Sequence, residues 1–255
     1  MTEKNYPIID FDPTPEAIIE PRKVIKPIDI PETCVLCFFQ DVLTSVCRDG
    51  GRRVIAELGS EMGKNPIYEL ELGNGKVAVV HPGVGAPLAA GFLEELIALG
   101  CRKFIACGGA GVLNAELTVG HVVVPTAAIR DEGTSYHYLP PEAEALPSEA
   151  GVAAIIDVLT QHNVPYVTGK TWTTDGLYRE TRGRMEKRKA AGCLTVEMEA
   201  SAFFAVAAFR GVAFAQILYS GDDLSGDLWD HRDWISRTSI REKLLWLAAE
   251  AVLKL

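Results

Sequence analysis

Two glutamates set one residue apart carry the strongest chemical hint in this chain. They lie in Thr195-Val196-Glu197-Met198-Glu199-Ala200-Ser201, and an apolar run, Ala202 to Phe209, follows at once. Side chains alternate along a strand, so an extended Val196–Glu199 places both carboxylates on one face. Ionised carboxylates are charge-assisted acceptors, stronger than neutral ones. Two of them at a strand end suit the vicinal diol that a furanose carries at its 2′ and 3′ positions. The same residues also suit a capped helix start, with acidic groups near the positive end of the helix dipole. Spacing alone leaves both readings open. A second hint is glycine: Gly83, Gly85, Gly108, Gly109 and Gly111 follow apolar, strand-like runs. Glycine there lets backbone N–H groups approach an anion or a sugar closely, although tight turns account for such glycines too.

The elements that must hold these groups alternate in type along the chain. Val35–Phe39 reads as a short buried strand, followed by a helical Asp41–Cys47. Ile67–Leu72 and Val77–Val80 read as a hairpin across Gly73-Asn74-Gly75, because Asn-Gly favours a tight turn. Ala86–Leu99, Gly151–His162, Gly183–Ala191, Ala200–Arg210 and Ser239–Leu253 carry helical patterns. Lys103–Cys107, His121–Pro125, Tyr166–Thr171 and Phe214–Ser220 read as strands. Strands separated by helices call for right-handed crossovers and a mostly parallel sheet. Ligands of such sheets sit at the carboxyl ends of the strands, where the glycine motifs fall. The expected architecture is therefore a single α/β domain over residues 32–255, with a mixed, mostly parallel central sheet flanked by helices. Residues 1–31 stand apart. Six prolines, from Pro7 to Pro31, break any long helix there, yet Ile8, Ile9, Phe11, Ile18, Ile19, Val24 and Ile25 are too apolar for a free tail. An arm packed on the body or on a neighbouring subunit is expected.

The segment around the two glutamates closely resembles the ribose-binding signature of the nucleoside phosphorylase superfamily, which includes uridine phosphorylase, hexameric purine nucleoside phosphorylase and the methylthioadenosine/adenosylhomocysteine nucleosidases. Three further segments match in order: His81-Pro82-Gly83-Val84-Gly85-Ala86-Pro87; Cys107-Gly108-Gly109-Ala110-Gly111-Val112-Leu113, followed by Val119-Gly120-His121-Val122-Val123-Val124-Pro125; and Thr126-Ala127-Ala128-Ile129-Arg130-Asp131-Glu132-Gly133, which looks most like the uridine phosphorylase branch. The likeness runs over roughly residues 33 to 255. It implies that Glu197, Met198 and Glu199 hold the ribose and that Gly85, Gly109, Ala110 and Gly111 form an anion loop. It also implies that Leu177 and Tyr178 face the base, although Leu177 is as well suited to a core. Asp222 aligns with the acid that protonates or hydrogen-bonds purine N7 as the base leaves, and such assistance neutralises charge on the leaving group.

The chain departs from the phosphorylase pattern at the anion site. The early Gly-Asp-Pro-x-Arg loop is missing, since the stretch reads Leu36-Cys37-Phe38-Phe39-Gln40-Asp41. Ala106 stands where the family carries an arginine, and Ala110 where it carries a phosphate-binding Thr or Ser. Arginine and bidentate phosphate binding go together for geometric reasons, so these losses weaken phosphorolysis. Arg22, Lys23, Arg48, Arg52, Arg53 and Lys64 are candidate substitutes, some across a subunit interface; without one, water is the nucleophile. The uracil-reading Gln-x-Arg is also absent, with Thr181, Arg182 and Arg184 in its region, so Arg182 is the alternative contact for uracil O2 or O4. His137 resembles a histidine of uridine phosphorylase and receives no chemical role.

The resulting expectation is a nucleoside phosphorylase that cleaves the N-glycosidic bond with phosphate as co-substrate, leaning slightly to uridine because the middle segment is the longest match. A hydrolytic nucleosidase and a non-catalytic nucleoside-binding protein are the alternatives. The catalytic candidates are Asp222 and Glu199. No organic cofactor and no metal is required, and a homo-oligomer, dimer or larger, is expected. Asp222, Asp223, Asp227, Asp230 and Asp233 do not have the spacing of a calcium loop and read as loop and cap residues.

Composition is consistent with this reading. The chain has 255 residues, 48% hydrophobic and 23% charged, with a net charge of −9. That length suits one domain with a large core, and the acidity argues against a general nucleic-acid binder, which shows a basic face. Cys34 and Cys37 form a CxxC inside an apolar run, where positions three apart point to opposite faces of a strand. Buried free thiols are therefore expected rather than a zinc or redox site. The N-terminus lacks an apolar signal region, and no run approaches the ~18 apolar residues of a membrane span, so cytoplasmic residence is the default.

Overall fold

The computed structural model describes residues 6–73 and 75–255. The apolar runs form strands β1 (Thr33–Cys37), β2 (Val54–Ser60), β3 (Gly63–Leu72), β4 (Gly75–Val80), β5 (Lys103–Val112), β6 (Val122–Asp131), β7 (Tyr166–Thr174), β8 (Cys193–Glu197) and β9 (Ala213–Asp223). Between them lie α1 (Pro21–Val24), α2 (Gln40–Val42, continuing as a π-helix over Leu43–Asp49), α3 (Ala86–Leu99), α4 (Glu149–Gln161), α5 (Arg182–Ala190), α6 (Ala200–Arg210) and α7 (Thr238–Val252). The strands make one mixed sheet in the order β2-β3-β4-β1-β5-β8-β7-β6-β9. Parallel pairing joins β1 to β4 and β5, β5 to β9, β6 to β7, and β7 to β8. Because β9 pairs with β5 as well as β6, the β5-β8-β7-β6-β9 part of the sheet closes on itself. The carboxyl ends of β5, β7, β8 and β9 are thereby brought around one place.

Alternation along the strands sorts the core into two layers. Val35 and Cys37 of β1 face α4 and α7, packing with Ile105, Ile155, Leu245 and Val252. Cys34 and Leu36 face α3 and α6, packing with Leu93, Leu96, Phe203 and Phe204. The CxxC is thus split across the sheet, and all six cysteines are free and buried. Helix α6 is buried along most of its length, from Ala200 to Ala207, which explains why its sequence is apolar all round. It ends at Gly211, whose φ of 66° is left-handed and suits glycine.

Several expectations change. Strand β2 was not expected; its largely exposed pattern at the sheet edge gives no clear alternation. Strand β5 runs on to Val112, so Gly108, Gly109 and Gly111 lie within a strand rather than in a loop after it. Strand β8 stops at Glu197, and Glu199 is the N-cap of α6 with φ −138° and ψ −27°. The hairpin between β3 and β4 forms with Leu72 opposite Gly75, while Asn74 of its expected turn lies outside the described residues, as do residues 1–5 of the expected arm. Residues 6–31 contact the body of the same chain: Ile28 N–H donates to the Leu99 carbonyl, and buried Glu20 pairs with Arg210 at 3.2 Å. Among the described residues no helix is long and apolar enough to cross a membrane.

Candidate active site

The site is assembled where α6 begins. Glu197 ends β8 beside Thr173 of β7 and accepts the Thr173 hydroxyl at 2.6 Å. Its second oxygen accepts the backbone N–H groups of Glu199 and Ala200 at 2.7 and 2.6 Å. These are first-turn donors that a helix leaves unsatisfied. Burial pushes the Glu197 carboxyl up, opposed by those hydrogen bonds. Glu197 therefore closes the helix, and its acceptor positions are engaged by the protein itself. Glu197, expected to hold the ribose with Glu199, is hydrogen-bonded here to the protein.

The Glu199 Oε1 accepts the Gly85 N–H at 2.6 Å, at the start of α3, where Gly85 has φ 86°. Burial, then the Glu197 charge, push its carboxyl up to about 8, and Asp175 adds in the same sense. Met198, half-buried, lies between the two glutamates. Asp175 in turn accepts the Gly133 N–H at 2.9 Å and leads into Leu177 and Tyr178. The 175–178 segment and Glu199 are thus electrostatically linked.

Leu177, Tyr178 and Arg182 line a cavity of about 520 Å³ together with Asp222. Thr181, Met185, Leu224 and Trp229 complete its mostly apolar wall, and Glu180 and Asp227 add carboxyls. The base residues expected from sequence are therefore brought together. Asp222 accepts the Trp229 indole N–H at 2.7 Å. Arg182 directs its guanidinium to the carbonyls of Ser225 and Gly226, so it braces the 225–226 loop instead of presenting its fork to a base. Asp223 pairs with Arg232 and accepts Ser225. Among the described residues, no group of three or more His, Cys, Asp or Glu side chains is placed to hold a metal ion.

Gly111 joins the two halves. A Cβ on it would lie 3.0 Å from Val196, 2.6 Å from Leu224 and 3.5 Å from Asp222. At Gly109 a Cβ would meet Tyr219 at 3.1 Å and Trp234 at 3.2 Å. Close packing within β5, rather than turn geometry, requires these glycines. Ala110 is buried with Val112 and Leu218, and Ala106 is buried under α3 and α6.

Where the early anion loop is missing, aromatic side chains stand. Phe38 meets His81 edge-on with ring centroids 6.0 Å apart, and Phe203 at 6.3 Å. Its ring would be 3.1 Å from a Cβ at Gly108. His81 accepts the Gly83 N–H at 3.1 Å, and burial lowers its pKa, favouring a neutral ring. Of the candidate substitute cations, Lys23 pairs with Glu16, Arg48 with Asp49, Arg53 with Glu69 and Lys64 with Glu57.

Glu180 and Phe38 were not singled out by sequence reasoning. A lone glutamate in a charged stretch carries no spacing signal. The aromatic pair at 38 and 39 was visible only as the absence of another motif.

Several known proteins resemble this chain. A guanosine phosphorylase of Halorubrum lacusprofundi is 28% identical over 172 residues, 68% of this chain and 69% of that protein. Uridine phosphorylases of Salmonella typhimurium and Treponema pallidum are 29% and 32% identical, over 57% and 56% of this chain. The matches span 63% and 59% of those two proteins. Among solved structures, a uridine phosphorylase from Vibrio fischeri superposes with a TM-score of 0.77 at 21% identity, covering 92% of this chain and 98% of that one. An AMP nucleosidase from Bacteroides thetaiotaomicron gives 0.75 at 22% identity, covering 91% and 96%. At such identities the likeness is one of fold. The model of the phosphorylase superfamily matches residues 32–254, nearly the whole described body, and the chain belongs to that superfamily.

Proposed function

We propose that the protein cleaves the N-glycosidic bond of a ribonucleoside, with phosphate as the acceptor of the ribosyl group. The observation that carries this reading is the buried carboxylate of Glu199 held at the start of α3, in a chain whose 177–182 segment and Asp222 together line a base-sized cavity. Glu199 accepts hydrogen bonds from the ribose diol, and these strengthen as the sugar gains oxocarbenium character. As the C1′–N bond breaks, its electron pair leaves with the base, and Asp222 assists the departing nitrogen. Phosphate as nucleophile is supported by kinship with proteins named as phosphorylases, and the superfamily's relatives include both guanosine and uridine enzymes.

A second reading, hydrolysis, is favoured by the aromatic Phe38 and His81 at the place of the missing anion loop and by the ion pairs that already engage Lys23, Arg48, Arg53 and Lys64. In that case water attacks C1′. The test is a nucleoside panel assayed with and without phosphate, with identification of the sugar product. Ribose 1-phosphate formed only with phosphate supports phosphorolysis. Free ribose formed at equal rate without it selects hydrolysis. Binding without cleavage of any nucleoside sinks both.

A further inference from the structure

The first turn of α6, which follows Glu199, is held from the ends of three strands. Glu197 of β8 accepts two of its N–H groups, and Thr173 Oγ1 of β7 accepts the Ser201 N–H at 3.0 Å. A third hold comes from Glu132, the residue after β6. Its Oε1 accepts the Ser201 hydroxyl at 2.9 Å, and its Oε2 accepts the Ser135 N–H at 2.9 Å. Glu132 is buried, as are Ser135, Thr173 and Ser201. The Ser135 hydroxyl in turn accepts from Arg130 Nε at 2.9 Å, and the Arg130 guanidinium is clamped onto the carbonyls of Leu139, Pro140 and Ala143. A lone buried carboxylate is costly to a fold. A buried polar network whose members are satisfied instead fixes one geometry.

We propose that Glu132 is a positioning residue for Glu199: through Ser201 it sets the rotation of the first turn of α6, and so the place of the Glu199 carboxylate against Gly85. The inference rests on the reading of Glu199 as the acceptor of the ribose diol. Ser201 lies two residues after Glu199, within the same turn. Glu197 and Thr173 hold backbone N–H groups of that turn, whereas Glu132 holds a side chain that projects from it. That contact resists rotation of the turn about its axis. Each Glu132 oxygen already takes a donor from the protein, so Glu132 acts through Ser201 and not by touching the substrate. The geometry matters because a group that binds the reacting sugar must be held within about 0.5 Å of its productive place.

A mutant cycle separates positioning from plain stability. Ser201→Ala removes the hydroxyl and leaves Glu132 on Ser135; Glu132→Ala removes both contacts. Each should lower kcat/KM by about tenfold or more, as expected when a binding group is misplaced, and the two together should cost no more than Glu132→Ala alone. In a Glu199→Ala background neither should cost anything further, because the group they position is gone. A merely structural role would lower activity by the same factor with or without Glu199, and that result overturns the proposal. If Glu132→Ala does not fold, Ser201→Ala carries the cycle by itself. The Gly85 amide resonance supplies a readout without substrate. In Ser201→Ala it should move towards its position in Glu199→Ala, and an amide that stays at its wild-type position overturns the proposal. If Glu199→Ala cleaves as fast as the wild type, or the wild type cleaves no nucleoside, the sugar role of Glu199 falls, while the Gly85 resonance still decides whether Glu132 places Glu199.

Discussion

Glu197 and Glu199 stand one residue apart, yet their carboxylates serve different helices. Glu197 folds back onto the first turn of α6, where it accepts the N–H groups of Glu199 and Ala200. Glu199 crosses to the start of α3 and accepts the Gly85 N–H. The strand ends between them, so the period-two rule that would align them no longer applies. The first glutamate fixes the backbone that carries the second.

Separate substitutions should divide stability from activity. Glu197→Ala leaves two buried N–H groups and the Thr173 hydroxyl without their acceptor. Unsatisfied buried donors and a lost cap together cost about 2–4 kcal/mol, read as a lower midpoint in urea with unchanged slope. Glu199→Ala should keep most of the stability and lose about ten- to hundredfold in kcat/KM, the worth of one charge-assisted hydrogen bond in the transition state. A folded Glu199→Ala variant with wild-type kcat/KM would remove the sugar role.

The raised carboxyl of Glu199 predicts opposite pH trends for activity and stability. Its folded value of about 8 lies above the ordinary 4.5. Between those values the folded state holds a proton that the unfolded chain has lost, so stability falls as pH rises through the window. Glu180, raised to about 7, adds in the same direction. Accepting a diol needs the ionised form, so kcat/KM should rise with pH through the region of 8. Glu199→Gln should flatten the stability profile above pH 4.5, measured by denaturant unfolding at several pH values. An unchanged profile would mean that Glu199 is ionised at neutral pH in the free protein.

The helices α3 and α6 were legible because glycine stops them and apolar residues fill them. Both run between the residues expected from sequence. The two faces of β1 were legible from alternation, which separates Cys34 from Cys37. What the sequence hid was the role of close packing. Gly108, Gly109 and Gly111 read as a loop because glycine is scarce in strands. In the fold they admit Phe38, Tyr219 and Leu224 against the β5 backbone. The capping role of Glu197 was open beside the diol reading, and only the end of β8 decides between them. Arg182 lies in the expected cavity, but the two loop carbonyls it meets are far along the chain and have no sequence signature.

Gly111→Ala tests the packing account. The new Cβ would meet the far end of Leu224 at 2.6 Å and Val196 at 3.0 Å. Overpacking of this kind costs about 1–3 kcal/mol when the neighbour cannot move. Leu224 also lines the 520 Å³ cavity proposed for the base, so its displacement narrows that space. The expected result is a raised KM with a smaller loss of stability. Unchanged KM in a folded variant would place Leu224 outside the base contact.

A homo-oligomer, dimer or larger, is expected from the surface of residues 6–28. Ile18 and Ile19 are 103% and 78% exposed and Val24 is 67% exposed, although Glu20 between them is buried on Arg210. Apolar side chains gathered in one segment mark an interaction surface more often than singly scattered ones do. Light scattering at assay concentration should give a mass above that of one chain, and Ile18→Asp with Ile19→Asp should lower it. A fully active monomer would contradict this expectation.

The last prediction concerns how Asp222 is held. Its Oδ2 accepts the Trp229 indole N–H at 2.7 Å, and Trp229 sits on an exposed loop with Leu228. Trp229→Phe keeps much of the ring and removes the donor, leaving the carboxyl free to rotate away from the departing base. Loss of one hydrogen bond to a charged group is worth about 1.5–3 kcal/mol. A fall in kcat of about tenfold or more is therefore expected, with little change in melting temperature, because the loop is exposed. Asp222→Asn should fall further on a purine nucleoside, where the acid has a ring nitrogen to assist, than on uridine. If uridine cleavage survives Asp222→Asn intact, Asp222 is not the acid for that substrate. If the purine reaction survives both substitutions, the leaving base is assisted from elsewhere in the cavity, where Glu180 and Asp227 supply the other carboxyls.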